Sequence, residues 1–569
     1  MNDLDETDID AALEDARGHH QAGRLAEAET LYRRVLDAQP RAAAVLSKLA
    51  AALAGQGKLD DALEALGRAL DIDPDLVEAH NNLGSVQQIR GDLEDAARSY
   101  GRALAIDPGH ASAHVNLGHV LKRQGKLEDA IVSYRRALVI DPGFAEAHNG
   151  LGVSLLVQGK PEEAAVSFEN ALKINPQHAE AHNNLGNVLR NQGRLDEAVA
   201  SIQRALALAP DLVEAHINLG NARKSQRRVD DAAEAYTRAL SLDPANPEAH
   251  WNFAQVLLLM GRLGEGWAEY AWRTKCEEFR AVNWNFKQPL WDGSDLNGRT
   301  VLFYAEQGFG DTIQFLRYLP MVAAQGTDKG TDKGGEVILQ CPPQLTRLFE
   351  ASPAADGIQL VTEIGDTPFD LQAPLHGLPG IFATTLDTIP ADVPYLRPPG
   401  DTPPALETSG GFKVGLVWAG NPKHKNDANR SIGFERFTPL LDMESVDFYS
   451  LQVGERGGGI RNNQALGGLE GKIVDLGLDL GDFAATAAAI GQLDLVITVD
   501  TSVAHLAGAL GVPVWTLLPW VPDWRWLLNR DDSPWYPTMR LFRQQTAGDW
   551  DAVIGEVGAA LGDQATGGS

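Results

Sequence analysis

Three segments in the C-terminal half contain side chains suited to chemistry, and each follows a run of apolar residues. The first is EQGFGDT at 306–312, where Gly308 and Gly310 would let the backbone approach a ligand closely. Asp311 comes next, where a helix would begin, and it can cap that helix or serve as an acid/base group. The sequence leaves both roles open.

The second segment, WAGNPKHKNDANRSI at 418–432, gathers basic side chains in one loop, together with the amide of Asn421: Lys423, His424, Lys425 and Arg430. The chain as a whole has a net charge of −28, so a local basic cluster needs an explanation. Neutralisation of a diphosphate is one, because lysine and arginine bind phosphate oxygens strongly. A solvated basic loop is the alternative.

The third segment, TVDTSVAHLAGALG at 498–511, places Asp500 at a strand end and Thr501 and Ser502 at a helix N-terminus. Free N–H groups and hydroxyls there favour an anion, with His505 one turn further along the helix. Asp500 would bind a ribose hydroxyl or hold the loop. Ordinary helix capping would produce the same pattern.

Strands and helices must alternate to position these segments. Apolar runs such as VLFYA (301–305), KVGLVWAG (413–420) and LDLVITVD (493–500) are separated by helical stretches, which indicates parallel sheets. A proline-rich stretch at 397–411 divides the runs into two groups. We therefore expect two α/β lobes, with ligands bound in a cleft beyond the carboxyl ends of the strands.

The N-terminal half has a strict internal period. Prolines recur every 34 residues, at 40, 74, 108, 142, 176, 210 and 244, and glycines follow the same period, except that Arg227 breaks their series. Such a period is typical of a stack of helix–turn–helix units. A histidine series from His80 to His250 is also periodic, and its spacing predicts packing between units because ligands so far apart cannot share one metal ion.

Composition narrows the function classes. The strong negative charge disfavours nucleic acid and anionic membranes as partners. Two cysteines, Cys276 and Cys341, cannot form a disulfide framework, and the acidic N-terminus is not typical of a secretory signal. No apolar stretch is long enough for a membrane span. A cytoplasmic protein is expected, without a metal or a resident cofactor.

The 34-residue unit resembles the tetratricopeptide repeat. The repeats would lie at 9–42, 43–76, 77–110, 111–144, 145–178, 179–212 and 213–246, with a degenerate eighth at about 247–280. In this family the first helices line a concave face that binds polypeptide. That face would carry an asparagine series, similar to the one in the nucleocytoplasmic O-GlcNAc transferase: Asn82, Asn116, Asn184, Asn218 and Asn252. These amides would hold an acceptor backbone, or they only bridge neighbouring helices.

The C-terminal half resembles the GT-B glycosyltransferases over about 296–545. The Gly-x-Gly-Asp loop is similar to one in heptosyltransferases, which implies Asp311 as the catalytic base. The element D-T-S-x-x-H at 500–505 looks like their donor-phosphate motif, although Ser502 stands where they have glycine. Gln452 occupies a strand end at which such enzymes recognise the nucleotide. The segment 523–544 contains tryptophans that would close over the sugar or pack between the lobes.

The expected fold is thus an α-solenoid of tetratricopeptide repeats followed by a GT-B fold with two Rossmann-like lobes. The domains would be a solenoid at 1–280, an N-terminal lobe at 281–400, a linker at 401–411 and a donor-binding lobe at 412–569. The resemblance implies an inverting, metal-independent transfer of sugar from a nucleotide donor to a protein hydroxyl, as in bacterial flagellin glycosyltransferases. A scaffold with a degenerate transferase half, or a lipid or polysaccharide acceptor, are the alternatives.

Overall fold

The computed structural model describes residues 6–280, 286–306, 308–325, 335–400, 406, 409–457 and 471–566. Within these ranges the chain divides into two compact units, residues 1–222 and 223–569. Most of the predicted linker, at 401–405 and 407–408, lies outside the described residues.

Sixteen helices form the repeat region, and consecutive helices pair as antiparallel hairpins. They are α1 (Glu6–Gln21), α2 (Leu25–Ala38), α3 (Ala43–Gly55), α4 (Leu59–Ile72), α5 (Val77–Arg90), α6 (Leu93–Ile106), α7 (Ala111–Arg123), α8 (Leu127–Ile140), α9 (Ala145–Val157), α10 (Pro161–Ile174), α11 (Ala179–Asn191), α12 (Leu195–Leu208), α13 (Val213–Ser225), α14 (Val229–Leu242), α15 (Pro247–Leu259) and α16 (Leu263–Tyr270). The predicted tetratricopeptide solenoid is confirmed.

Glycines make the hairpins tight. A Cβ on Gly84 would lie 2.7 Å from the Tyr100 ring, and a Cβ on Gly152 would lie 2.6 Å from the Phe168 ring. In these two repeats the aromatic residue of the second helix fills the space that a side chain on the first helix would take. The two helices therefore approach each other closely.

The turn between the two helices of a repeat needs a left-handed residue. Glycine supplies it in seven repeats, with φ between 73° and 90°, whereas Arg227 adopts φ 59° in the remaining one. A non-glycine residue in this region costs about 1–2 kcal/mol. The Arg227 guanidinium stacks over the Trp520 ring, 4.5 Å from its centroid, and this contact offsets part of that cost.

The periodic histidines join successive repeats. In each of the six, Nε2–H donates to the carbonyl of the repeat proline six residues earlier, at distances from 2.8 to 3.3 Å. Proline ends one helix and leaves its carbonyl available, and the histidine of the next helix satisfies it. The series therefore has the packing role that its spacing predicts.

In the described part of the α/β region there are short helices and ten strands. The helices are α17 (Glu277–Arg280), α18 (Phe309–Leu316), α19 (Leu319–Gln325), α20 (Pro343–Glu350), α21 (Leu378–Ile381), α22 (Asp427–Arg430), α23 (Phe483–Ile490), α24 (Ser502–Ala509) and α25 (Trp550–Thr566). The strands are β1 (Val301–Tyr304), β2 (Val337–Gln340), β3 (Gln359–Val361), β4 (Leu371–Pro374), β5 (Phe412–Val417), β6 (Val446–Ser450), β7 (Ile473–Asp475), β8 (Leu495–Val499), β9 (Val514–Leu518) and β10 (Met539–Arg543).

These strands form two sheets in which every ladder is parallel. The first sheet has the order β3-β2-β1-β4, and the second has the order β10-β9-β8-β5-β6-β7. The central strands β1 and β8 are buried along their whole length, as expected for sheets covered by helices on both faces. Each sheet falls within one predicted lobe. The prediction of parallel α/β sheets is confirmed.

The last repeat helices belong to the same compact unit as the sheets. Trp267 of α16 donates its indole N–H to the Thr384 carbonyl at 2.9 Å and meets the Trp524 ring edge-on at 5.3 Å. One continuous core includes Leu258 of α15, Phe303 of β1 and Leu541 of β10. The aromatic side chains of the last repeat helices are therefore part of the α/β core.

Candidate functional site

Asp311 caps the helix that follows β1. Its Oδ2 accepts a hydrogen bond from the Gly308 backbone N–H at 3.1 Å, and its Oδ1 pairs with the Arg525 guanidinium. The capping role considered from the sequence is therefore real. The side chain is 19% exposed.

The charges around Asp311 hold it ionised. Burial alone would raise the pKa of this carboxyl, but Arg525, His376 and His505 outweigh burial and hold it well below its usual range. A carboxylate with a low pKa is a weak proton acceptor in this arrangement. A change in its pairing with Arg525 would raise its basicity.

Arg525 is the central cation of the site. It is buried, and it donates from Nε to Gln314 Oε1 at 2.5 Å and from Nη1 to Asp523 Oδ1 at 2.8 Å, besides its pair with Asp311. Burial opposes its charge, yet Asp523 and Asp311 raise the pKa of Arg525 above its ordinary value. A guanidinium shared among three acceptors can exchange one of them for a phosphate oxygen.

A buried histidine lies on the other side of Asp311. His376 follows β4, and its Nε2 is 3.8 Å from Asp311 Oδ2 while its Nδ1 is 3.8 Å from Glu306 Oε2. Glu306, after β1, pairs with Arg273 at 2.6 Å, and Arg273 is 2% exposed. The charged groups thus form a row, from Arg273 through Glu306, His376 and Asp311 to Arg525.

Helices from the two sheets begin side by side at this row. A Cβ on Gly310 of α18 would lie 2.7 Å from His505 Cδ2 and 3.3 Å from the Ser502 Cα of α24. His505 shares a hydrogen bond with the Tyr536 hydroxyl at 2.9 Å. Burial, assisted by Arg525, lowers the pKa of His505 to about 3, so its ring is neutral at physiological pH. The glycine loop is required for this contact, as its sequence suggests.

The start of α24 combines a cap with a perturbed carboxyl. Thr501 Oγ1 accepts from the Val503 N–H at 3.3 Å, which is the ordinary capping considered from the sequence, and Ser502 is half-buried. Burial and the neighbouring Asp523 raise the pKa of Asp500 to about 6. A carboxyl that titrates near neutrality is suited to proton exchange or to hydrogen bonding with a ligand hydroxyl.

Within the basic loop, Arg430 is the residue that contacts the start of α24. Arg430 Nη1 donates to the Asp500 carbonyl at 3.1 Å, and its guanidinium covers Gly420. Lys423 and Lys425 are exposed, and Asn421 Oδ1 accepts from the Lys423 N–H at 3.0 Å. Arg430 is thus built into the site, while the two lysines lie on its surface.

Gln452 is held by backbone. Its Oε1 accepts from the Trp418 and Ala419 N–H groups at 3.2 and 2.9 Å, and its Nε2 donates to the Ala419 carbonyl at 3.1 Å. The amide is 5% exposed and joins the ends of β5 and β6. These hydrogen bonds give Gln452 a structural role, since they hold the two strand ends together. Nucleotide recognition by Gln452 stays a prediction.

The asparagine series bridges neighbouring repeats. Each amide donates to a side chain 35 residues earlier: Asn82 to Ser47, Asn116 to Asn81, Asn184 to Asn149 and Asn218 to Asn183, at 2.9–3.1 Å. Asn252 is half-buried on α15. The bridging role considered from the sequence is thus present, and it uses the amide N–H of each of the four while their carbonyl oxygens remain as possible acceptors. Acceptor binding stays a prediction.

Sequence reasoning missed most of the charged row. Arg525 lies between two tryptophans, and an arginine in such an aromatic segment is a usable signal of a buried ion pair. The sequence hypothesis for this segment rests on its tryptophans instead. Of these, Trp524, Trp526 and Trp535 are all buried. His376 and Arg273 carry no comparable pattern, because their neighbours come from distant parts of the chain.

Comparison with known proteins identifies the repeats. A family model described as tetratricopeptide repeat matches residues 19–83, and one described as the cilia and flagella-associated protein 70 C-terminal domain matches residues 56–257. Protein FlbA of Caulobacter vibrioides is 31% identical over 334 residues, or 54% of this chain and 54% of FlbA. The chain thus spans about half the length of the curated relative it matches.

Two solved structures are similar over the repeats. One is described as a functional characterization of Pseudomonas aeruginosa pilF, with 23% identity and a TM-score of 0.34 over 36% of this chain and 94% of that one. The other is the APC/C hetero-tetramer Cut9-Hcn1, with 18% identity and a TM-score of 0.41 over 48% of this chain and 54% of that one. Among the described residues, no helix is long and apolar enough to cross a membrane.

Proposed function

We propose that this protein is a glycosyltransferase that moves a sugar from a nucleotide-sugar donor to a serine or threonine hydroxyl of a protein held by the repeats. The observation that carries the proposal is the contact of Gly310 with His505. It brings together the starts of two helices, α18 and α24, that follow strands of different parallel sheets. Ligands of such sheets bind at the carboxyl ends of the strands.

The charges at this position suit a diphosphate donor. Arg430 and Arg525 are fixed cations near the start of α24, and the N–H groups of a helix N-terminus favour anions. Stabilising the leaving phosphate is where fixed cations contribute most to such a transfer. The exposed lysines of the same loop add attraction at longer range.

In the proposed reaction Asp311 accepts the proton of the attacking hydroxyl. The hydroxyl oxygen forms a bond to the anomeric carbon, the bond from that carbon to phosphate breaks, and the nucleotide leaves with the electron pair. Asp311 is paired with Arg525 before the donor binds. A donor phosphate that draws Arg525 away would make the Asp311 carboxylate more basic at the moment of transfer.

The repeats would select the acceptor. Tetratricopeptide repeats commonly bind polypeptide, and the asparagine carbonyls of the first helices can accept hydrogen bonds from an extended backbone. Flagellin is one acceptor that the family resemblance suggests. A soluble protein as acceptor accords with the acidic net charge of −28, which repels anionic lipid surfaces.

A second candidate is a docking scaffold whose α/β half no longer transfers sugar. This candidate is favoured because polar groups of the site are already paired within the protein. Asp311 is neutralised by Arg525, and the Gln452 amide is bound to backbone groups. Ser502 also replaces the glycine of the donor-phosphate motif that it resembles.

Thermal unfolding of the full chain with a panel of nucleotides and nucleotide sugars separates the two candidates. Ligand that binds the native state raises Tm by mass action, by an amount set by the ratio of its concentration to Kd. The transferase predicts a rise with one nucleotide class and its loss in Arg525→Gln. No rise with any nucleotide, from a folded sample, would favour the scaffold.

A further inference from the structure

His376 is a fully buried ionisable group at the candidate site. It is 0% exposed, and neither ring nitrogen has a hydrogen-bond partner among the described residues. A buried imidazole without partners is costly, so some other interaction must compensate. The nearest polar groups are the carboxylates of Glu306 and Asp311, one facing each nitrogen at 3.8 Å.

The two carboxylates approach opposite nitrogens of one ring. Each ring nitrogen thus faces one carboxylate oxygen, and the ring bridges Glu306 and Asp311. The arginines that flank the row, Arg273 beside Glu306 and Arg525 beside Asp311, pair with both carboxylates and hold them in place. The Phe315 ring contacts His376 edge-on at 5.1 Å and closes its remaining side.

We propose that His376 is a positioning residue for Asp311: its ring ties Asp311 to Glu306 and so fixes the direction in which the Asp311 carboxylate faces a substrate hydroxyl. This inference rests on the proposed function, since it assigns His376 to the same site. His376 is closed off from solvent and touches no substrate. Its effect passes through Asp311 Oδ2, the oxygen that also accepts from Gly308.

The row also includes a residue of the turn that follows the last repeat helix. Arg273 lies in the 3-10 turn Ala271–Lys275, directly after α16, and its guanidinium contacts the Tyr270 ring. Through Glu306 and His376 the position of this turn is coupled to Asp311. The last repeat helices therefore help to hold the reactive carboxylate.

The test compares His376→Phe, which keeps a ring without N–H groups, with His376→Gln, which keeps an amide N–H. In a transfer assay with saturating acceptor, we expect His376→Phe to lower kcat roughly 10- to 100-fold, the range seen when the outer partner of a functional group is removed. KM for the donor should change less than twofold. His376→Gln should recover part of kcat.

The pH profile distinguishes positioning from simple loss of stability. Arg525, His376 and His505 face Asp311 and lower its pKa, so removal of His376 should raise the pKa of Asp311. The acidic limb of kcat/KM should then move to higher pH in His376→Phe. As a control, His114→Gln removes a buried histidine of α7, in the repeats and outside the row, and should leave the profile unchanged.

A measurement without turnover completes the test. The carboxyl ¹³C signal of Asp311, identified by its loss in Asp311→Asn, should titrate at higher pH in His376→Phe than in the native chain. If this signal shifts but the native protein transfers no sugar, the proposed function fails while the link between His376 and Asp311 stands. If transfer is normal and neither the profile nor the signal changes, His376 has no positioning role.

Discussion

Gly310 of α18 and His505 of α24 lie in contact, and a Cβ on Gly310 would come within 2.7 Å of His505 Cδ2. Since the imidazole is fixed by Tyr536 and stacked on Trp526, it cannot retreat. We expect Gly310→Ala to lower the free energy of unfolding by about 1–3 kcal/mol, the usual cost of overpacking. Urea unfolding followed by tryptophan fluorescence measures this change.

Gly555 provides the matched control for that substitution. It lies inside α25, and a Cβ there would meet no atom within 4 Å. Gly555→Ala should therefore stabilise the chain by up to about 1 kcal/mol through helix propensity alone. Equal effects of the two substitutions would show that the contact with His505 is not tight.

Asp311→Asn keeps the size of the side chain but removes the charge that pairs with Arg525. Breaking a buried ion pair typically costs about 3 kcal/mol, and we expect a loss of this order at pH 7. Because the pKa of Asp311 is depressed, its contribution exists above the unfolded value of about 3.9 and is lost as pH falls through the folded value. The difference in unfolding free energy between the two proteins should therefore shrink below about pH 4.

The same variant should abolish sugar transfer while nucleotide binding persists. Loss of a general base typically lowers the rate by roughly 10²–10⁴-fold. Donor affinity, measured by the ligand-dependent rise in Tm, should stay within a few-fold of the native value because Arg430 and α24 remain. Normal turnover in Asp311→Asn would remove Asp311 from the mechanism.

Arg227→Gly restores the residue that other repeats use at the left-handed turn. It relieves backbone strain but removes the stacking of the guanidinium on Trp520, and the two effects, each about 1 kcal/mol, should nearly cancel. In a Trp520→Leu background only the strain remains, so Arg227→Gly should then be stabilising. A double-mutant cycle by urea unfolding measures the coupling, and zero coupling would contradict the stacking.

His178 and Glu146 form an ion pair between successive repeats, with Nε2 3.1 Å from Oε2. The hydrogen bond to Glu146 raises the pKa of His178, and the same bond lowers the pKa of Glu146. The pair contributes fully to stability between the pKa values of the two groups in the unfolded chain, about pH 4.3 to 6.5. On either side this contribution is lost as pH passes the pKa values in the folded chain. His178→Asn should thus destabilise most at mildly acidic pH.

Asparagine is chosen at 178 because it preserves the helix cap. In its neutral form His178 can accept from the Ala181 N–H, and Asn246, two repeats further on, accepts from the Ala249 N–H in the same way. Hydrogen exchange in α9 and α11 measures the effect, since all tryptophans lie at or after Trp251 and do not report on this part of the chain. A difference that does not vary with pH would indicate lost packing instead of a lost ion pair.

The sequence predicts the elements better than it predicts the site. Period and composition determine the repeat helices, and apolar runs between helical stretches determine the parallel strands, because both signals are local. For the contact of Gly310 with His505, the sequence predicts only a loop that permits close approach. The partner that needs this space lies almost two hundred residues away, and no local pattern names it.

Arg525 illustrates why the rest of the site escapes prediction. Its three acceptors, Gln314, Asp311 and Asp523, come from two segments that meet only in the folded chain. Whether an aspartate caps a helix, pairs with an arginine or does both depends on that meeting. Gln452 shows the same limit, since its amide is committed to backbone groups of a neighbouring strand end.

The boundary between the compact units falls after Ala222, inside α13, so the repeat array continues across it. Repeats that end before α13 could be exchanged for repeats of another protein without opening the core that Leu258, Trp267 and Tyr270 share with the sheets. A fusion placed at residue 280 would instead separate those side chains from the sheet residues that bury them. New docking specificities are therefore most readily acquired by splicing within the repeat array, with its final helices inherited together with the sheets.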